Sequence, residues 1–191
     1  MEIRPTTEQD REVFVDTLFA AFGRFPEPPG EAERVWSALE MDRALFAVTA
    51  EGRPVGTAAA YSFELTLPGE TVVPVPGVTA VGVLPSHRRQ GALTAMVRQH
   101  FADARARGEF LSVLLASEAV IYRRFGYGPA TTTHRLTVPR HQAAFAAPRA
   151  TAGPVPGSIE VLRRADCADI LEDVYDRYRR TRPGALSRPH H

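Results

Sequence analysis

The 191-residue chain contains no lysine, so all 23 of its basic side chains are arginine, a compositional bias rather than a functional signature. Its single cysteine, Cys167, excludes an intrachain disulfide and a thiolate metal cluster. A lone thiol of this kind reads as an idle or buried side chain, and no metal is expected. Long apolar runs are missing as well: no segment approaches the roughly 20 residues of a membrane span. Met1-Glu2-Ile3-Arg4-Pro5 lacks the apolar core of a secretory leader, so the cytoplasm is the expected location. Charge of one sign is absent too. The 23 basic residues face 22 acidic ones, and a net charge of +1 excludes bulk attraction to nucleic acid or membrane. What remains is ordinary for a soluble globular protein, at 44% hydrophobic and 24% charged residues. The length allows one well-filled core and a partial second unit.

Along the chain, Glu2 to Arg4 reads as a short edge strand, and Thr7 as an N-cap followed by acidic Glu8 and Asp10. Phe14, Leu18 and Phe22 recur at helical spacing and predict a buried stripe. Beyond the Pro/Gly-rich break from Gly23 to Gly30, Glu31 to Met41 reads as a second helix. Leu45 to Thr49, Pro54 to Leu67 and Val78 to Leu84 read as strands, with turns at Glu51-Gly52 and Pro68-Gly69-Glu70. That last strand is the clean part of a longer return from Val72 to Leu84, whose start Pro74 and Pro76 confine to an edge or a distorted connection. Gly91 to Arg107 is an amphipathic helix with Leu93, Met96, Val97, Phe101 and Ala104 on one face, and Gly108 caps it. Phe110 to Ala116 predicts a strand buried on both faces. Ser117 caps a short helix from Glu118 to Phe125, and Thr131 to Val138 alternates as a further strand. Residues 139–157 shift to Ala, Pro and Gly, as a linker does. Ile159 to Leu162 and a helix from Asp166 to Arg180 follow, and such a tail either packs on the first unit or opens a second. Its arginines Arg177, Arg179, Arg180, Arg182 and Arg188, interleaved with Glu172, Asp173 and Asp176, read as a solvated face rather than a nucleic-acid patch.

The most informative stretch is Val81-Gly82-Val83-Leu84-Pro85-Ser86-His87-Arg88-Arg89-Gln90-Gly91-Ala92-Leu93, where an apolar strand runs through a polar turn into a helix. The first helical turn has amide N–H groups without intrahelical partners and the positive end of the helix dipole, so a pyrophosphate can dock on main chain. Arg88 and Arg89 oppose that dipole unless an anion sits nearby, which favours an anion site. His87 reads as a surface turn residue.

Arg88-Arg89-Gln90-Gly91-Ala92-Leu93 is similar to the acetyl-CoA loop Arg/Gln-x-x-Gly-x-Gly/Ala of the GNAT acetyltransferases, departing from it at Leu93. Tyr122-Arg123-Arg124-Phe125-Gly126-Tyr127 resembles the Tyr-x-x-x-Gly-aromatic pattern after their fifth strand, and the two motifs stand in the family's order. Leu84 to Gly91, Ala116 to Thr131 and Thr181 to Arg188 look like the Eis (enhanced intracellular survival) group of aminoglycoside acetyltransferases, a resemblance that runs across nearly the whole chain. It implies an α/β GNAT acyl-CoA N-acyltransferase fold, a mixed and mostly antiparallel sheet flanked by helices. It divides the chain into a GNAT domain at 1–138, a linker at 139–157, and at 158–191 the start of an incomplete second GNAT-like domain.

The resemblance also implies acetyl-CoA as cosubstrate. Arg88, Arg89, Gln90, Gly91, Ala92, Leu93 and Thr94 would cradle the pyrophosphate, and the edge of Val81, Gly82 and Val83 would bind the pantetheine arm. The Val83 N–H would polarise the acetyl carbonyl, and Tyr122 would be the general acid for the departing thiolate. Ser117 is first an N-cap and secondarily a pantetheine contact. Tyr127 is expected to be a core residue opening the next strand. The implied acceptor is a small-molecule amine, an aminoglycoside-like polyamine first and a protein amine next; Glu27 and Glu31, near the acceptor side of such folds, read as a solvated loop before an acceptor lure. Eis proteins are longer, form hexamers and take their general base from the carboxylate ending a third domain. A homo-oligomer is therefore expected, along with acetyl-CoA binding and slow or absent transfer by this chain. A noncatalytic CoA-binding or assembly module is the alternative.

Overall fold

The computed structural model describes residues 1–25, 30–132, 134–143 and 157–188. Strands β1 (Glu2–Pro5), β2 (Ala44–Val48), β3 (Pro54–Thr66), β4 (Val72–Val83) and β5 (Val113–Leu114) form one sheet in sequence order. The first four pair antiparallel, and β5 joins β4 in parallel. Helices α1 (Arg11–Ala21) and α2 (Glu31–Ser37) precede β2. Helix α3 (Ala92–Ala106) makes the crossover from β4 to β5, and α4 (Ala119–Tyr122) and α5 (Arg164–Arg180) follow.

The sheet is apolar on both faces because β2 is: every residue from Ala44 to Val48 is buried. Phe14, Val15, Leu18 and Phe19 of α1 cover one face against Phe46, Val48 and Ala59, with the Phe14 and Phe46 rings tilted at 5.5 Å. Ala92 and Met96 of α3 cover the other against Leu45, Ala47, Val55 and Ala58. An ion pair between Arg43 and Glu109 at 2.6 Å, each side chain 5% exposed, fastens the start of β2 to the chain leaving α3. Thr7 opens the 3₁₀ turn Glu8–Asp10 as expected, its N–H donating to the Asp10 carboxylate at 2.8 Å.

Several expectations need correction. Phe22 is exposed, because it lies beyond the end of α1. Helix α2 stops at Ser37, whose hydroxyl donates to the Arg34 carbonyl, and Glu40 is drawn off to accept from the Ser62 N–H at 2.6 Å. Pro74 and Pro76 lie inside a continuous β4, opposite Glu64 and Ser62. Those two partners send their own N–H groups the other way, to Ser187 and Glu40, so neither proline faces a position that needs an amide donor. Phe110 to Ala116 is not a doubly buried strand: only Val113–Leu114 pairs, and Phe110 and Leu115 are exposed. The described residues of 131–138 form no strand, and Leu136 and Val138 are exposed, since no described residue packs over them. Ile159 to Leu162 is likewise without strand structure.

The C-terminal segment lies against the first unit. Gly184 and Ala185 exchange main-chain hydrogen bonds with Thr66, and the Ser187 N–H donates to the Glu64 carbonyl, extending the edge of β3. Arg179 is buried, not solvated, because Glu64 of β3 and Asp176 both take its guanidinium. The other tail arginines are solvated or stacked, Arg188 over Tyr175 and Arg182 over Tyr178. The linker residues 144–156, Glu27 and the terminal His190-His191 lie outside the described residues.

Candidate active site

Strand β4 is paired along its whole length with β3, but on its other side β5 reaches only Gly77 and Val78. From Thr79 to Val83 that second edge has no strand partner among the described residues, and only the Val83 carbonyl there is taken, by Arg88. Here β4 also carries one extra residue: Thr57 faces Gly82 and Ala59 faces Thr79, so three steps of β4 match two of β3. The surplus is absorbed at Ala80, which adopts a left-handed φ of 50°. A bulge of this kind re-aims a strand, and a non-glycine residue in that region persists only when its surroundings hold it. The holder is Thr57, fully buried, whose hydroxyl donates to the Ala80 carbonyl at 2.8 Å.

Beyond the bulge the Leu84 N–H returns to the Val55 carbonyl, so by antiparallel alternation Val81 and Val83 turn their main-chain groups to the open side. Their side chains pack partly buried over the α3 cluster. Gly82 points the other way. A Cβ there would sit 2.8 Å from the Ala21 Cβ, so this glycine lets α1 lie on the sheet and offers nothing to the open edge.

A 3₁₀ turn, Pro85–His87, then leads into the cradle. Arg89 and Gly91 take left-handed φ values of 65° and 89°, bending the chain sharply into α3. Gly91 occupies the N-cap position, and no side chain caps the helix. The first helical bond runs from the Ala95 N–H to the Gly91 carbonyl, so the amides of Ala92, Leu93 and Thr94 stay available to an anion. Arg89 and Gln90 are exposed, Leu93 and Thr94 half-buried, and Ala92 buried under the sheet. Leu93, the departure from the family loop, is thus accommodated at the helix flank.

Arg88 behaves differently from its neighbour. Its Nε donates to the Val83 carbonyl at 3.2 Å and its Nη2 to the Ala21 carbonyl at 2.9 Å. It therefore neutralises the C-terminal end of α1 and locks it to the end of β4. Arg88 is thus also a clamp on the cradle's frame.

Helix α4 holds Tyr122. Glu118, not Ser117, takes the N-cap position, and Ser117 is an exposed loop residue. Gly126 stops the following turn with φ 92°. Tyr122 is half-buried, and desolvation pushes its phenol pKa up, so it carries its proton at neutral pH. Its ring meets that of Tyr127 edge-on at 5.9 Å. Glu31, at the start of α2, pairs with Arg24 at 2.8 Å. Thr57 and the bulge at Ala80 escaped the sequence reading; a glycine inside a strand, as at Gly82, was the available signal.

The stretch that carries this strand edge, turn and bare helix start follows a known family pattern: the description "Acetyltransferase (GNAT) domain" matches residues 2–130. The chain belongs to the GNAT acetyltransferases. A Streptomyces avermitilis protein named as an uncharacterized N-acetyltransferase is 42% identical over 98% of this GNAT chain and 45% of its own length. The N-acetyltransferase Eis of Mycobacterium tuberculosis is 42% identical over 71% of the chain and 34% of its own length. The crystal structure of Eis1 from Mycobacterium abscessus superposes with a TM-score of 0.78 at 36% identity, covering 99% of the chain and 46% of Eis1. The chain thus spans about half the length of the relatives that match it end to end.

Proposed function

We propose that the chain carries acetyl-CoA-dependent N-acetylation of a small-molecule amine, with aminoglycoside-like polyamines as the preferred acceptors. The observation that carries this reading is the open edge of β4 from Thr79 to Val83, which runs directly into the uncapped first turn of α3. An extended pantetheine arm matches a strand edge and a pyrophosphate matches free helical amides, so the two halves of one ligand meet two adjoining features. Acetyl-CoA supplies the activated acyl group.

In this reading Ala92, Leu93 and Thr94, with Gln90 and Gly91 before them, hold the phosphates through main chain, while Arg89 adds exposed positive charge. Val81 and Val83 hold the arm, with the Val83 N–H on the acetyl oxygen, and Arg88, Gly82 and Thr57 keep that geometry. The amine nitrogen forms its bond to the thioester carbon as the carbon–sulfur bond breaks. The sulfur takes its proton from Tyr122, and the amine loses its proton to solvent or a base. Ser117, exposed beside α4, keeps its place as a pantetheine contact. The division at 1–138, 139–157 and 158–191, a cytoplasmic location and a homo-oligomer belong to the same proposal.

Release of thiol from acetyl-CoA across a panel of aminoglycosides, simple polyamines and peptides tests it. The expected result is acceptor-dependent release that falls about 100-fold in Tyr122→Phe, the scale of a lost general acid. Saturable CoA binding without release from any acceptor would instead establish a binding module.

A further inference from the structure

Tyr122 sits on a poor platform. Helix α4 is a single turn whose residues Ala119, Val120 and Ile121 are all exposed, and one helical turn has no intrinsic stability in water. No hydrogen bond reaches the Tyr122 hydroxyl among the described residues. What touches its ring is Tyr127, and Tyr127 is held twice. Its ring stacks on Phe101 of α3 at 6.0 Å and 27°, and its hydroxyl meets the Ser112 Oγ at 2.6 Å. Ser112 in turn meets His100 Nε2, also on α3, at 3.2 Å.

We propose that Tyr127, anchored through Ser112 to His100 and Phe101, is a positioning residue that holds the Tyr122 ring in register with the helix bearing the phosphate seat. His100 lies nine residues after Gly91, about 13 Å along one rigid rod. The rod therefore sets the distance between the cradle at one end and the tyrosine pair near the other. A neutral His100 suits the chain. Burial, and then the guanidinium of Arg43, lower its pKa, and Asp103 and Glu109 oppose this only in part. A neutral imidazole has one nitrogen free to accept, so the hydrogen bonds can run from Tyr127 to Ser112 and from Ser112 to His100. Each hydroxyl then has one defined direction, and Tyr127 has neither ring nor hydroxyl free to turn.

This inference rests on Tyr122 as the proton donor, and the experiment separates the two. Tyrosines labelled at Cζ with carbon-13 report the titration of Tyr122 in the intact chain without turnover. In Tyr127→Leu water reaches the Tyr122 phenol, and its pKa moves down toward that of a free phenol; in Tyr178→Phe, a control on α5, it stays where it was. In Ser112→Ala, which keeps both rings, kcat falls about 3- to 10-fold, the range of one lost hydrogen bond, while KM for acetyl-CoA changes less than about 2-fold. An unmoved Tyr122 titration in Tyr127→Leu overturns the positioning role, as does an unchanged kcat in Ser112→Ala alongside a crippled Tyr122→Phe. If the titration moves but Tyr122→Phe retains full turnover, the positioning stands and the assignment of the acid fails.

Discussion

Ala44–Val48 and Phe110 to Ala116 look alike as sequence, two short apolar runs fit for interior strands, yet the molecule treats them oppositely. The first is buried at every position, between β1 and β3 and beneath α1 and α3. The second pairs over two residues and leaves Leu115 97% exposed. Apolarity states only that burial is favourable. Burial happens where neighbours on both edges and both faces arrive, and the segment after α3 has one edge partner. That shortfall also shapes the proposed site: because β5 leaves β4 after Val78, Val81 and the Val83 N–H have no strand partner on that side among the described residues.

The contrast can be tested most severely at the ion pair that ties the closed region together. Arg43→Leu strands the Glu109 carboxylate in the interior and is expected to cost about 3–5 kcal/mol in urea denaturation, whereas adding Glu109→Leu recovers most of it. A loss below about 1 kcal/mol in the single variant would show that the pair is wet. Next, Met96→Ala empties space between α3 and the sheet, for an expected loss of about 2–5 kcal/mol by the same measurement.

A smaller and pH-dependent effect belongs to the N-terminal anchor. Arg4, and then the Thr7 amide and hydroxyl, hold the Asp10 carboxylate well below its usual range. A depressed folded pKa contributes stability in full above the unfolded value near 4, and that contribution is lost as pH falls through the depressed one. Asp10→Asn is therefore expected to be less stable by under about 1 kcal/mol between pH 5 and 8, with the gap to wild type closing below about pH 4 in denaturation series. The smallest effect is expected in the open region, where Leu115→Ala changes stability by less than about 0.5 kcal/mol. A larger loss there would mean that Leu115 is covered in solution and would erase the contrast.

Much of the closed region was legible beforehand. The strands through β4, helix α3 and its start at Gly91 follow from periodicity and from a glycine where φ is 89°. The misses share a cause. Phe22 and Phe110 fit interior patterns, and each is exposed for want of a partner among the described residues. In the cradle, the uncapped amides were legible and the role of Arg88 was not, because its partner Ala21 lies 67 positions away. Tyr127 was expected in the core, but its link to His100 passes through Ser112, which no local pattern marks.

The order of residues alone determined where this chain turns, which stretches coil or extend, and that a helix would begin bare at Gly91, since these depend on neighbouring φ and ψ choices and on side-chain period. Only the assembled fold decided which edge of β4 lacks a strand partner, that Arg88 grips α1, and that Tyr127 is pinned beside Tyr122. Those outcomes depend on groups far apart in the chain meeting at hydrogen-bonding distance, and such meetings exist only after the sheet and its helices have closed.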